Sequence, residues 1–202
     1  MPASPPRLIL ASSSPYRREL LLRLHLPFET IFPHVEETPQ DGELPQQLAL
    51  RLAIAKAKAV SNRHPGCVVI GSDQVATLNG QPIGKPGDFA HAQAQLRALS
   101  GRTVEFYSAL AVTDGKHLSQ ANIVTQCRFR ALSHDAIDTY LRTEKPYDTA
   151  GSAKAEGLGI ALMESMRSED PTAIIGLPLI ALTSMLATYG WDPLRPSDGT
   201  KR

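Results

Sequence analysis

Residues 8–21, LILASSSPYRRELL, join an apolar run to a hydroxyl-rich turn, a proline and two arginines. A strand that ends in such a turn and opens a helix gathers unpaired backbone N–H groups at one point. Arg17 and Arg18 fall in the first helical turn, where the macrodipole favours acids. Two cations at an already positive terminus make sense around an anion, and a phosphate chain is the obvious one. Ser12 and Arg17 are then candidate substrate ligands. The same turn also suits a plain strand–helix connection with two surface arginines.

Carboxylates recur in two places. Glu36 and Glu37 lie in an acidic loop, and Asp73 follows the apolar run VVIG. Carboxylates with open neighbours suit Mg²⁺, which keeps water and shares oxygens with phosphates. The glutamate pair also reads as a solvated loop. Asp73 is harder to leave idle, because a half-buried carboxylate needs partners. Lys56 and Lys85 are candidate point charges, although most lysines are simply solvated. Residues 149–160, TAGSAKAEGLGI, hold three glycines around Glu156, a pattern of close backbone approach or of a flexible loop. The six histidines show no metal-ligand spacing, and neither GxSxG nor a Walker A motif occurs. Water, rather than a side chain, is the expected nucleophile.

The rest of the chain must position these groups. Its 202 residues, 42% hydrophobic, suffice for one α/β domain of generous size or two small lobes, and the folded unit is expected over residues 1–195, leaving 196–202 as a frayed tail. A net charge of +1 with interspersed signs argues against a nucleic-acid or membrane-surface protein. Cys67 and Cys127 lie far apart with no CxxC spacing, Cys67 reads as a buried thiol in a reducing compartment, and no signal peptide is visible, so a cytoplasmic location is expected. Residues 173–190 are apolar but broken by Pro178, which reads as a core helix rather than a membrane span.

Strands are expected at Leu8–Ala11, Phe28–Phe32, residues 67–73, Thr103–Thr113, Ile123–Ala131 and Ile160–Met163. Asp73 would then end a buried central strand. Helices are expected from Pro15 to about Leu24, from Pro45 to about Asn62 with Leu48, Leu52, Ala55 and Ala59 on one face, after Asp88, after Ser133, and over Pro178–Tyr189. Asn79–Gly80 is a hairpin signal. The result is a mixed α/β fold with a long, partly antiparallel sheet.

Taken in order, LILASSSPYRRELL, FETIFPHVEET, RLAIAKAKAV, VVIGSDQV, IGKP, AGSAKAEGLG and IIGLPLI resemble the Maf-like nucleotide pyrophosphatases, the septum-formation-inhibitor family. The resemblance runs from Leu8 to about Tyr189. It implies an elongated mixed sheet with flanking helices and a cleft between two lobes, similar to the inosine-triphosphate pyrophosphatases. It implies hydrolysis of a nucleoside triphosphate to the monophosphate and pyrophosphate with a divalent cation, Mg²⁺ or Mn²⁺, and it leaves a homodimer open. Asp73 matches the family's proton acceptor and is also a candidate metal ligand. Arg17, Glu37, Lys56 and Lys85 match positions tied to phosphate or metal.

Three positions are tied to the base. Tyr16, Gln74 and Glu156 depart from the Arg, Thr and Gln of the dTTP/UTP branch. They match the branch that is similar to 7-methyl-GTP pyrophosphatases. A methylated guanine carries positive charge, and a Tyr face attracts it by roughly 0.5–2 kcal/mol. Glu156, acceptor-only, suits guanine's ring N–H and amino group. A dTTP/UTP or broad house-cleaning pyrophosphatase, and a non-catalytic nucleotide-binding regulator of septum formation, are the alternatives.

Overall fold

The computed structural model describes residues 6–195. The expected tail, residues 196–202, lies outside the described residues. Elements follow in the order β1 Leu8–Ala11, α1 Pro15–Leu22, β2 Glu29–Thr30, α2 Pro45–Ser61, β3 Val68–Leu78, β4 Gln81–Ile83, α3 Phe89–Leu99, β5 Thr103–Thr113, β6 Leu118–Phe129, α4 His134–Glu144, β7 Met163–Ser168 and α5 Leu179–Thr188. They build a mixed α/β fold around one seven-stranded sheet, ordered β2-β1-β3-β5-β6-β7, with β4 also on β3. β1 pairs in parallel with β2 and β3, and all other pairs are antiparallel.

Local chemistry sets the element ends. Ser14 caps α1 by accepting the Arg17 N–H, and Pro15 occupies the first turn, where its missing N–H costs nothing. Asp88 caps α3 and Ser133 caps α4 in the same way. Asn79 and Gly80 both take positive φ, 52° and 77°, which the tight β3–β4 turn requires and which these two residues tolerate.

Alternation along β3 separates two faces. Val69, Gly71, Asp73 and Val75 face α2, whose Ala49, Leu52, Ala53 and Ala57 also meet Ala109 and Ala111 of β5. Ile70 and Leu110 face α1 and α5, while farther along the same side Phe106, Cys127 and Phe129 lie under α3 and α4. Both cysteines are buried and free, and burial pushes the Cys127 thiol up to about 12.

Several expectations need correction. β3 does not end at Asp73 but runs on to Leu78, because β5 supplies a partner along its whole length. The Phe28–Phe32 strand shrinks to Glu29–Thr30, with its one ladder on short β1. The strand expected at Ile160–Met163 is instead a 3₁₀ turn over Leu158–Leu162, and β7 starts only at Met163. β6 starts earlier, at Leu118, and stops at Phe129. On α2 the buried stripe is Leu48, Ala49, Leu52, Ala53, Lys56, Ala57 and Val60, whereas Ala55 and Ala59 are only half-buried. Residues 173–190 hold α5, with Leu182 and Leu186 buried in the core. Among the described residues no helix is long and apolar enough to cross a membrane.

Gly71 sets the distance between α2 and the sheet. A Cβ there would collide with the Ala53 carbonyl and come within 2.6 Å of the Ala57 nitrogen. Both contacts are backbone, so neither can rotate away. Gly71→Ala is expected to destabilise the fold by about 1–3 kcal/mol through overpacking. Urea unfolding measures this, and an unchanged midpoint would mean that the helix is not seated as described.

Candidate functional site

β3 is incompletely covered on one edge. β1 pairs with Val68–Gly71 and β4 with Ala76–Leu78, so among the described residues Ser72–Val75 have no strand on that side. A cleft of about 340 Å³ opens at this gap. Because the gap exposes a strand from its edge, side chains from both sheet faces reach one space. Asp73 enters from the α2 face and Gln74 from the other. That is how a mid-strand acid comes to line a cleft.

All nine candidate residues lie on its wall: Ser12, Tyr16, Arg17, Glu37, Lys56, Asp73, Gln74, Lys85 and Glu156. Arg18, by contrast, is exposed and points elsewhere, so only one of the two arginines faces the cleft. Glu36 accepts the Thr38 N–H and hydroxyl, which closes the loop and leaves Glu37 to turn inward.

At one end the charges converge. The Lys56 Nζ lies 2.6 Å from Asp73 Oδ1 and 2.6 Å from Glu37 Oε1. Lys56 and Asp73 are both buried, whereas Glu37 is exposed on its loop. Burial draws the Arg17 guanidinium below its ordinary range, while the charges of Asp73 and Glu37 pull it back up. Arg17 Nε donates to the Gly176 carbonyl at 2.9 Å, which leaves its two terminal nitrogens for a ligand. Ser12 Oγ accepts the Ser14 N–H at 3.1 Å and so shapes the turn that opens α1 onto the cleft. Lys85 is exposed at the rim, on the loop after β4.

The other end is more apolar, walled by Phe106, Ala150, Ala153 and Ile174. Tyr16 is half-buried there and donates from its hydroxyl to Asp148 Oδ2 at 3.2 Å. Glu156 and Asp148 face the same space. Gln74 is differently employed. Its amide nitrogen donates toward the Ala173 and Ile174 carbonyls, at 2.9 and 3.0 Å, and lies 2.9 Å from Ser108 Oγ. It therefore fastens the 3₁₀ turn Ala173–Ile175 to the sheet.

That turn has a second anchor that sequence reasoning missed. Asp170 is buried and accepts from the N–H groups of Thr172, Ile180 and Ala181 and from the Thr172 hydroxyl. Its carboxylate thus sits at the N-terminus of α5, where negative charge is favoured. Ser72 Oγ lies 2.9 Å from the Gly176 carbonyl that also receives Arg17. Asp148, Phe106 and Ile174 were also missed. An acid just before the Gly-rich stretch was the available signal for Asp148, and no signal marked the apolar walls.

Two hard oxygen donors, Glu37 and Asp73, converge on one point. Among the described residues no group of three or more His, Cys, Asp or Glu side chains could hold a metal. Such a pair suits a cation that takes its remaining ligands from water and phosphate, the habit of Mg²⁺.

A family described as "Maf-like protein" matches residues 7–189. A protein of Bordetella avium named "7-methyl-GTP pyrophosphatase" is 73% identical over 190 residues, covering 94% of this chain and 96% of the relative. One of the same name from Ralstonia nicotianae is 61% identical, covering 90% and 94%. The Staphylococcus aureus Ham1 protein structure aligns with a TM-score of 0.52 at 14% identity, covering 90% of this chain and 98% of that one, a likeness of fold. The chain belongs to the Maf family.

Proposed function

We propose that this chain hydrolyses 7-methyl-GTP to 7-methyl-GMP and pyrophosphate. The observation that carries this reading is the polarity of the cleft. Cations and a buried carboxylate occupy one end, while an aromatic ring and an acceptor-only carboxylate occupy the other. Close relatives bearing that name support it. A cytoplasmic setting fits a substrate that is a free nucleotide.

The triphosphate lies over the α1 N-terminus. Arg17 grips phosphate oxygens through its free terminal nitrogens, in the bidentate manner that guanidinium allows. Lys85 adds a point charge at the rim. Asp73 orients a water against one phosphorus of the α–β bridge and takes its proton as the O–P bond forms and the bridge bond breaks. Lys56, already within 2.6 Å of Asp73, holds that carboxylate in place. Glu37 and Asp73 would hold a divalent cation, Mg²⁺ or Mn²⁺, which when bound neutralises charge on the phosphate oxygens. The base stacks on Tyr16, and Glu156 accepts from its ring N–H and amino group. Gln74 acts indirectly, by fixing the Ala173–Ile175 wall.

The direct test incubates the protein with Mg²⁺ and a nucleotide panel and resolves the products. Monophosphate and pyrophosphate from 7-methyl-GTP are expected, and release of orthophosphate instead would overturn the bond assignment. Asp73→Asn should lower kcat roughly 100- to 10,000-fold, the usual worth of a general base. Glu156→Gln should weaken 7-methyl-GTP turnover more than UTP turnover; an equal loss removes Glu156 from base reading.

The ammonium of Lys56 stands between the two carboxylates that the cation needs, so the two compete. Lys56→Met is therefore expected to bind Mg²⁺ at least tenfold more tightly than wild type when no nucleotide is present. Calorimetric titration measures this, and equal or weaker binding would place the cation elsewhere.

A further inference from the structure

A fourth cation stands at the base end, outside the nine candidates. The Lys154 Nζ lies 5.7 Å from the Tyr16 ring centroid and 3.7 Å from Asp148 Oδ1. Its side chain is mostly shielded, at 18% exposure. The backbone beneath it is pinned on both sides. Its N–H donates to the buried Tyr140 hydroxyl at 3.0 Å, and Gly159 presses so close that a Cβ there would come within 2.6 Å of the Lys154 nitrogen. Burial opposes its charge, yet Tyr16 and Asp148 hold the ammonium above its ordinary range. This is a preorganised cation, two residues from Glu156 in the same loop and resting on groups that line the cleft.

The guanine edge presents a carbonyl oxygen, O6, beside the ring N–H and the amino group. Glu156, an acceptor without a proton, can satisfy only the last two. A base drawn into a shielded pocket with O6 unmatched would lose much of what its other bonds contribute. Two of the other cations are committed elsewhere, Arg17 to the Gly176 carbonyl and Lys56 to two carboxylates, and Lys85 is exposed at the rim. We propose that Lys154 is a specificity residue that donates to O6 of the guanine ring, completing the match that Glu156 begins. The proposal rests on the guanine reading above. Without a nucleotide the ammonium lies over the Tyr16 face. When the base takes that face, the ammonium exchanges the ring for O6 while Asp148 keeps it near. An amino group at the same ring position, as in adenine, would meet a donor with a donor.

The test compares GTP with 6-thioguanosine triphosphate, which keeps the ring N–H and amino group but replaces O6 by a much weaker acceptor, in wild type, Lys154→Met and Lys154→Arg. Lys154→Met should lower the ratio of the two kcat/KM values by roughly tenfold or more, the scale of one charge-assisted hydrogen bond. The loss should appear in KM rather than kcat, because the contact exists before and during the reaction. Lys154→Arg, which keeps a cationic donor, should recover most of the ratio. If Lys154→Met melts early, Lys154→Gln serves as the truncation with the same expected direction. An equal loss for both nucleotides would show that Lys154 only orients Tyr16, and the proposal falls alone. A wild type that cleaves no guanine nucleotide, 7-methyl-GTP included, removes the functional reading and this proposal together.

Discussion

A buried ammonium between two carboxylates governs the rest of this molecule. Lys56 and Asp73 are both out of water, and removing either would leave an uncompensated charge, a loss of about 3–5 kcal/mol in comparable cases. The pair can form only if α2 lies almost on the backbone of β3. Gly71 allows that approach, two residues from Asp73 on the same face, with Ala53 and Ala57 bracketing Lys56 on the helix. Small residues on both elements are thus part of the chemistry, because they set how far the lysine must reach. Glu37 completes the cluster from a loop, and its exposure leaves it the freest of the three to re-pair.

The opposite face of β3 solves a different problem with neutral groups. Ser72 and Gln74, together with Ser108 of β5, bind carbonyls of the turn over residues 173–176. Asp170 holds the far end of that turn and the start of α5 through four donors. Arg17 then leans on the same turn through Gly176, whose φ of 114° is a backbone conformation that residues with a side chain rarely adopt. One wall of the cleft is therefore a chain of hydrogen bonds that ends in the side chain expected to grip phosphate. Preorganisation of this kind matters more than any single contact, because a misplaced cation loses most of its worth in the transition state.

How much of this was legible depends on which interactions are local. The Asn79–Gly80 turn and the helix starts after Asp88 and Ser133 are decided by neighbours in sequence, and they were read from it. The nine candidate residues were read from motif order, and the fold brings all of them to one wall. The errors share a cause. β3 was cut short at Asp73 because a polar residue inside an apolar run resembles an end. The ladder with β5 across Val69–Thr77 carries the strand past Asp73, and β4 pairs with its last three residues. β7 carries mostly exposed residues, so it lacks an apolar signature, and its ladder with β6 defines it. Ala55 and Ala59 were put on the buried face of α2 because alanine gives no preference between faces, whereas the charge on Lys56 disguised its burial.

Asp73 shows why an acid in mid-strand can serve a cleft at all. A strand covered on both edges offers its side chains only to the two faces, each packed by helices. Here β1 leaves β3 after Gly71 and β4 joins at Ala76, so four residues stand without an edge partner among the described residues. The departing chain is the hydroxyl turn that opens α1, so the same break that frees the edge also delivers the helix N-terminus to it. Acid, backbone donors and Arg17 are brought together by one topological event. The Gly-rich loop that carries Glu156 and Lys154 approaches from the other end, where Tyr16, also on α1, meets Asp148. The proposed phosphate and base contacts thus share a single helix start, one turn of chain placing Arg17 toward the carboxylates and Tyr16 toward the loop. Substitutions at residues 12–17 should for that reason couple the two ends of the ligand, whereas changes in the loop should act on the base alone.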